Sequence, residues 1–132
     1  VYQRILAYNA GRDPERLARK LALMREGPFA FFRGTAHLFY GYSSLLAPLA
    51  KSPAAWSCGD LHVENFGCYK GDNRLTYFDL NDFDEAALGP ISWDLVRLLT
   101  SLSLGLAALD VSPREIAIRS RQFLQEYARV LA

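Results

Sequence analysis

A short apolar run, Ala54-Ala55-Trp56-Ser57-Cys58, leads straight into Gly59-Asp60-Leu61-His62-Val63-Glu64-Asn65-Phe66-Gly67, and no other stretch restricts the fold of this chain as tightly. The run reads as a short buried strand. Its continuation sets two acids, an imidazole and a carboxamide within the six positions from Asp60 to Asn65. Polar groups at the edge of a core cost free energy unless they are paired or employed. Turn composition accounts for Asp72-Asn73, but poorly for an apolar strand that ends in such a cluster. The fold has to present these groups at a strand end.

The flanking sequence is mostly helical in pattern. Tyr2, Ile5, Leu6 and Tyr8 read as the end of a helix closed by Asn9-Ala10-Gly11, and Asp13-Pro14-Glu15 restarts one: a side-chain acceptor, a proline suited to the first turn and an acid at the positive end. Leu17, Leu21 and Met24 then share a face, and Gly27-Pro28 stops the helix. From Phe29 to Leu49 the pattern predicts one long core helix, with Phe31, Thr35, Leu38, Tyr42, Leu45 and Leu49 as its stripe and Phe32, Phe39 and Leu46 widening it. Gly34 and Gly41 would admit a close neighbour, and Arg33 either snorkels to water or pairs with an acid or phosphate.

Pro48 and Ser52-Pro53 break that helix ahead of the strand. Beyond the polar cluster, Phe66 to Tyr69 and Leu75 to Phe78 read as a hairpin joined by Lys70 to Arg74, followed by a second acid-rich loop, Leu80-Asn81-Asp82-Phe83-Asp84-Glu85. Leu88-Gly89-Pro90 turns the chain into a helix striped by Leu95, Leu98, Leu99, Leu102, Leu106 and Leu109. Ser112-Pro113-Arg114-Glu115 is a capping box that opens a last helix carrying Ile116, Phe123, Tyr127 and Val130. Helices on both sides of a small β element make an α+β fold without internal repeats.

With 132 residues the chain is long enough for one domain, residues 1–132, and too short for two. A net charge of +1 provides no basic face for nucleic acid and no polybasic membrane anchor. No apolar run reaches the roughly 20 residues of a membrane-spanning helix, and no signal-peptide pattern opens the chain. Cys58 and Cys68 are too few for a disulfide framework, so the reading is a soluble, cytoplasmic domain with reduced thiols. Val1 stands where an initiator Met would, and the last helical pattern runs to Leu131-Ala132 without a stop signal, so a piece of a longer chain is expected.

Phosphoryl transfer needs a carboxylate to orient the attacking hydroxyl and take its proton, and oxygen ligands to hold Mg²⁺ on the phosphates. In kinase-type sites the base Asp is followed five residues later by a metal-binding Asn, and a second metal-binding Asp comes after a hairpin. Asp60 and Asn65 have that spacing, and the hairpin delivers Asp79 at the end of a hydrophobic strand.

Gly59 to Asn65 resembles the catalytic loop of the protein-kinase-like superfamily, in particular its aminoglycoside and choline kinase branch with the form G-D-L-H-x-x-N. More closely, Pro28-Phe29-Ala30-Phe31-Phe32-Arg33-Gly34-Thr35, Gly59 to Gly67, Phe78-Asp79-Leu80-Asn81-Asp82-Phe83-Asp84-Glu85 and Trp93-Asp94-Leu95 resemble a bacterial family of uncharacterised proteins, domain-of-unknown-function family 2252. The resemblance runs from about Tyr8 through the helix after Trp93.

It implies a protein-kinase-like α+β fold, here its mostly helical catalytic-loop lobe with a small β-hairpin. Asp60 would be the catalytic base, Asn65 a metal ligand, and either Asp79 or Asp82 the principal metal ligand, since Asp82 precedes Asp94 by a kinase-like twelve residues. Asp94 would hold the catalytic loop through its backbone, His62 would shape it, and Arg33 would pair with one of the acids. The implied cofactors are Mg²⁺ and ATP, and the implied acceptor is a small molecule. The Gly-rich loop and clamping lysine of a kinase are missing, since Lys51 and Lys70 sit in a loop and a hairpin, so the nucleotide lobe is expected in the missing remainder of the chain. Two other readings stay open: a kinase-shaped binding module without catalysis, and a zinc site drawn from Cys58, His62 and Cys68 with His37 or Glu64.

Overall fold

The computed structural model describes residues 1–41 and 46–132. Four short helices open the chain, α1 (Tyr2–Tyr8), α2 (Pro14–Leu23), α3 (Pro28–Gly34) and α4 (Ala36–Tyr40), and a 3₁₀ turn, Ala47–Leu49, precedes β1 (Ala54–Ser57). A second 3₁₀ turn, Val63–Asn65, leads into the hairpin β2 (Phe66–Lys70) and β3 (Thr76–Leu80). Strand β4 (Ala87–Pro90) runs into α5 (Ile91–Ala108), and α6 (Pro113–Leu131) ends the chain. The fold is α+β.

The local signals act where the sequence places them. Asn9 caps α1, and Asp13 accepts the Arg16 N–H at 2.9 Å to start α2 behind Pro14. Ser112 accepts the Glu115 N–H at 3.2 Å to start α6. The hairpin pairs antiparallel from Phe66 opposite Leu80 to Lys70 opposite Thr76.

Three expectations need correction. The helix expected from Phe29 to Leu49 breaks at Thr35, whose φ of −124° and ψ of 28° leave the helical region while its hydroxyl donates to the Phe31 carbonyl at 2.7 Å. Met24 presses on Gly34, where a Cβ would lie 2.5 Å from the Met24 Cγ. The break lets Leu38 join Ile5 and Met24 in one apolar cluster. Tyr42 and Leu45, also placed on that stripe, lie outside the described residues.

Second, β1 is not a buried strand: Trp56 is 80% exposed, and only Ser57 at its end is buried. Third, Leu88-Gly89-Pro90 is not a simple turn. It belongs to β4, which pairs antiparallel with β1, Trp56 opposite Leu88 and Ala54 opposite Pro90. That pairing brings the start of α5 beside the start of β1, where the Ile91 N–H donates to the Pro53 carbonyl at 3.1 Å, and the helix runs on under the polar cluster. A second apolar cluster forms there from Cys58, Leu61 and Leu98, flanked by Val63, Leu80 and Phe123 of α6.

The expectation that no segment has membrane-spanning length meets an exception in α5, whose 18 residues are, by length and composition alone, apolar enough to cross a bilayer. Its buried residues are nevertheless Asp94, Arg97, Leu98 and Ser101, while Leu95, Leu99, Leu102 and Leu106 are half-buried and Leu109 is exposed.

Candidate active site

Asp94, Arg97 and Ser101 fall at i, i+3 and i+7 of α5, which puts them on one face. The loop after β1 lies along that face. Asp94 accepts the backbone N–H of Cys58 at 2.6 Å with one oxygen and that of Gly59 at 3.4 Å with the other. One step along, Arg97 hydrogen-bonds and ion-pairs with Asp60. Ser101 accepts the Val63 N–H at 3.0 Å and donates to Leu98 at 2.7 Å. Tyr40 donates its hydroxyl to the Gly59 carbonyl from the opposite side.

Gly59 is required at its position. Its φ of +91° is rarely adopted by other residues, and a Cβ there would come within 2.2 Å of the Glu85 carbonyl. The loop is thus squeezed between α5 and the segment before β4.

Asp60 is half-buried, and Arg97 is fully buried, its guanidinium 4.3 Å from the Phe32 ring centroid and 5.2 Å from that of Phe39. Burial raises the Asp60 pKa above its ordinary value; Arg97 opposes the rise and Glu85 adds to it. His62 is 2% exposed, edge-on to Phe29, and burial assisted by the charges of Arg33 and Arg97 lowers its pKa to about 4. It is therefore a neutral imidazole inside the loop at neutral pH. Arg33 pairs with Glu64 at the surface, an acid inside the motif.

The residues proposed for metal binding sit on three segments: Asn65 on the 3₁₀ turn, Asp79 on β3 and Asp82 in the loop that follows. Asn65 is buried and turns its Oδ1 back to accept the His62 N–H at 2.7 Å, closing the turn. Asp79, opposite Gly67 on the hairpin, is exposed and accepts the neighbouring Leu80 N–H at 2.8 Å. Asp82 lies nearer the loop: its carbonyl accepts the Cys58 thiol at 2.8 Å and its charge acts on both Cys58 and His62. Its carboxylate accepts the Asp84 N–H at 3.3 Å. The donors are hard oxygens of the kind Mg²⁺ takes, yet among the described residues no three His, Cys, Asp or Glu side chains converge to hold a metal ion. The same applies to the zinc set: Cys68 is exposed, Glu64 is committed to Arg33, and His37 stacks on Tyr8 at 3.9 Å.

Asp60 instead opens onto a cleft of about 540 Å³ shared with Arg33, Lys20, Glu85, Tyr40 and Trp93. Asn65, Asp79 and Asp82 do not line it. A family model described as an uncharacterized protein conserved in bacteria, DUF2252, matches residues 12–132. The chain belongs to the DUF2252 family. No curated protein and no solved structure matches it.

In this DUF2252 chain, sequence reasoning passed over Arg97, Ser101, Tyr40 and Glu85. Arg97 and Ser101 carried a readable signal: polar residues at helical spacing from Asp94 within a leucine-rich helix mark a face that needs partners. Tyr40 and Glu85 carried none, since each reaches the loop from a distant element.

Proposed function

We propose that this DUF2252 chain is the hydroxyl-activating half of a kinase-like phosphotransferase, with Asp60 as the base and a small molecule as acceptor. The observation that carries the reading is Asp60 itself: a carboxylate at the wall of a cleft of about 540 Å³, oriented by a fully buried Arg97, with a pKa raised above its ordinary value by burial. An acceptor hydroxyl donating to Asp60 would lose its proton to the carboxylate as its oxygen bonds to phosphorus and the bond from phosphorus to the donor breaks. Asp94, Ser101 and Tyr40 keep the loop still, so that the carboxylate is oriented before the acceptor arrives. ATP with Mg²⁺ is the phosphoryl donor that the kinase resemblance implies.

The test is Asp60→Asn, assayed as phosphoryl transfer from ATP to a panel of alcohols. Asn retains an oxygen for Arg97, and turnover is expected to fall by about 10² to 10⁴. Asp60→Glu, which keeps the charge, separates lost chemistry from lost folding when both variants are also melted. Unchanged turnover in a folded Asp60→Asn protein would remove the base assignment.

A second reading is favoured by one observation: Asn65 and Asp79 each turn a side-chain oxygen to a backbone N–H, that of His62 and that of Leu80. That suits a kinase-shaped binding module without catalysis, and it predicts ligand binding with no Mg²⁺-dependent consumption of ATP.

A further inference from the structure

The cleft over Asp60 has a second end. Tyr8 and His37 stack there at 3.9 Å with their rings 2° from parallel, and Arg12 and Lys20 stand 5.7 Å and 6.0 Å from the Tyr8 centroid. Neither Arg12 nor Lys20 forms an ion pair among the described residues; Lys20 has only a 3.4 Å hydrogen bond to Asn9. Two cations crowded on one ring without a carboxylate between them repel each other. Burial and the Arg12 charge lower the Lys20 pKa against the opposing charges of Asp60 and Glu85, and His37 is lowered by burial together with Lys20, Arg4 and Arg12.

Buried polar atoms line the same cleft without a partner among the described residues: Ser57 Oγ, His37 Nε2 and Trp93 Nε1. Ser57 is only 9% exposed. A buried hydroxyl and indole N–H left unpaired keep their full desolvation penalty, which a ligand with several hydroxyls would recover. The cleft volume lies within the range of small-molecule sites.

We propose that this cleft binds an anionic polyol: a phosphate or carboxylate group seated on Arg12 and Lys20, hydroxyls meeting Ser57 and the Trp93 N–H, and a further hydroxyl reaching Asp60. The assignment of that last hydroxyl rests on Asp60 as the base; the anion seat does not. Arg12 supplies the planar fork that matches a phosphate or carboxylate, and Lys20 a point charge. Asp60 and Glu85 in the same cleft would repel an anion placed on them, which favours seating it on Arg12 and Lys20.

The test is binding without ATP, so its outcome is independent of turnover. In a Trp56→Phe background, which removes the exposed second indole, Trp93 fluorescence is titrated with glucose 6-phosphate, gluconate, glucose, inorganic phosphate and ADP. Saturable binding of glucose 6-phosphate or gluconate, at least tenfold tighter than glucose, is expected. Arg12→Ala and Lys20→Gln should each weaken it about tenfold and Lys20→Arg should restore it; melting curves confirm folding. Equal affinity for glucose, or no response to Arg12→Ala and Lys20→Gln in folded protein, overturns the proposal. Binding of ADP with neither anionic polyol also overturns it, by assigning the cations to nucleotide phosphates. If Asp60→Asn keeps full turnover while the anions still bind, the base assignment fails and the anion seat stands.

Discussion

Replacing Arg97 with Leu isolates the electrostatic joint on which the site depends. The guanidinium is fully buried, bonded to a half-buried Asp60 and flanked by Phe32 and Phe39. Stripping one partner from a buried pair costs about 3–5 kcal/mol. Asp60 keeps some contact with water, so the expected loss near pH 7 is about 3 kcal/mol, roughly two powers of ten in the folded-to-unfolded ratio. About 1 kcal/mol of that belongs to the lost cation–π contacts, which do not depend on Asp60. The remainder does. Arg97 holds the Asp60 pKa down against burial, so its removal raises that pKa further. A carboxyl whose folded pKa exceeds its unfolded value of 3.8 favours the folded state below that value and loses the contribution as pH rises through the folded pKa. The deficit of the variant relative to the parent should therefore be largest near pH 7 and contract near pH 4. Urea unfolding of both proteins at the two pH values, followed by circular dichroism, measures it. An equal deficit at both would refute the reasoning and reduce Arg97 to a packing residue.

The lowered pKa of His62 makes a second pH prediction: a buried base with a folded pKa of about 4 against an ordinary 6.5 stabilises the fold above pH 6.5, and on the order of 2–3 kcal/mol should be lost as pH falls between those values. NMR titration of the imidazole checks the pKa, and a midpoint near 6.5 would sink it. Thiol labelling should separate the cysteines, because burial pushes Cys58 up to about 11 while Cys68 is exposed. One equivalent of reagent is expected near pH 8 in the native protein and two after unfolding, and rapid native labelling of Cys58 would contradict its placement beneath Asp82. Ser101→Ala removes the acceptor for the Val63 N–H and should cost about 1–2 kcal/mol, with faster amide exchange at Val63; unchanged exchange would show that the loop does not lean on α5 there.

What the sequence determined alone was local. Asp13-Pro14 and Ser112-Pro113 start helices because a side-chain acceptor and a proline act on the turn beside them. The hairpin between Phe66 and Leu80 follows from two strand-forming runs and the loop between them. The cluster from Asp60 to Asn65 was legible as a polar loop at a strand end, because apolar sequence that stops in such groups has to pair them. Membership of the DUF2252 family was legible in the same residues.

The tertiary structure decided everything that depends on residues far apart meeting. Thr35 breaks a periodic helical stripe because Met24 closes on Gly34 and Leu38 gains a place beside Ile5, and periodicity carries no record of either contact. Ala87 to Pro90 becomes a strand only because β1 offers it an edge. Asn65 keeps the spacing of a metal ligand yet spends its oxygen on the His62 N–H, since spacing along a chain does not set the direction of a side chain. The Arg97 guanidinium under Asp60, and Arg12 and Lys20 lining the same cleft as Asp60, come together only after α1, α2 and α5 converge, because charge acts through space and not along the sequence.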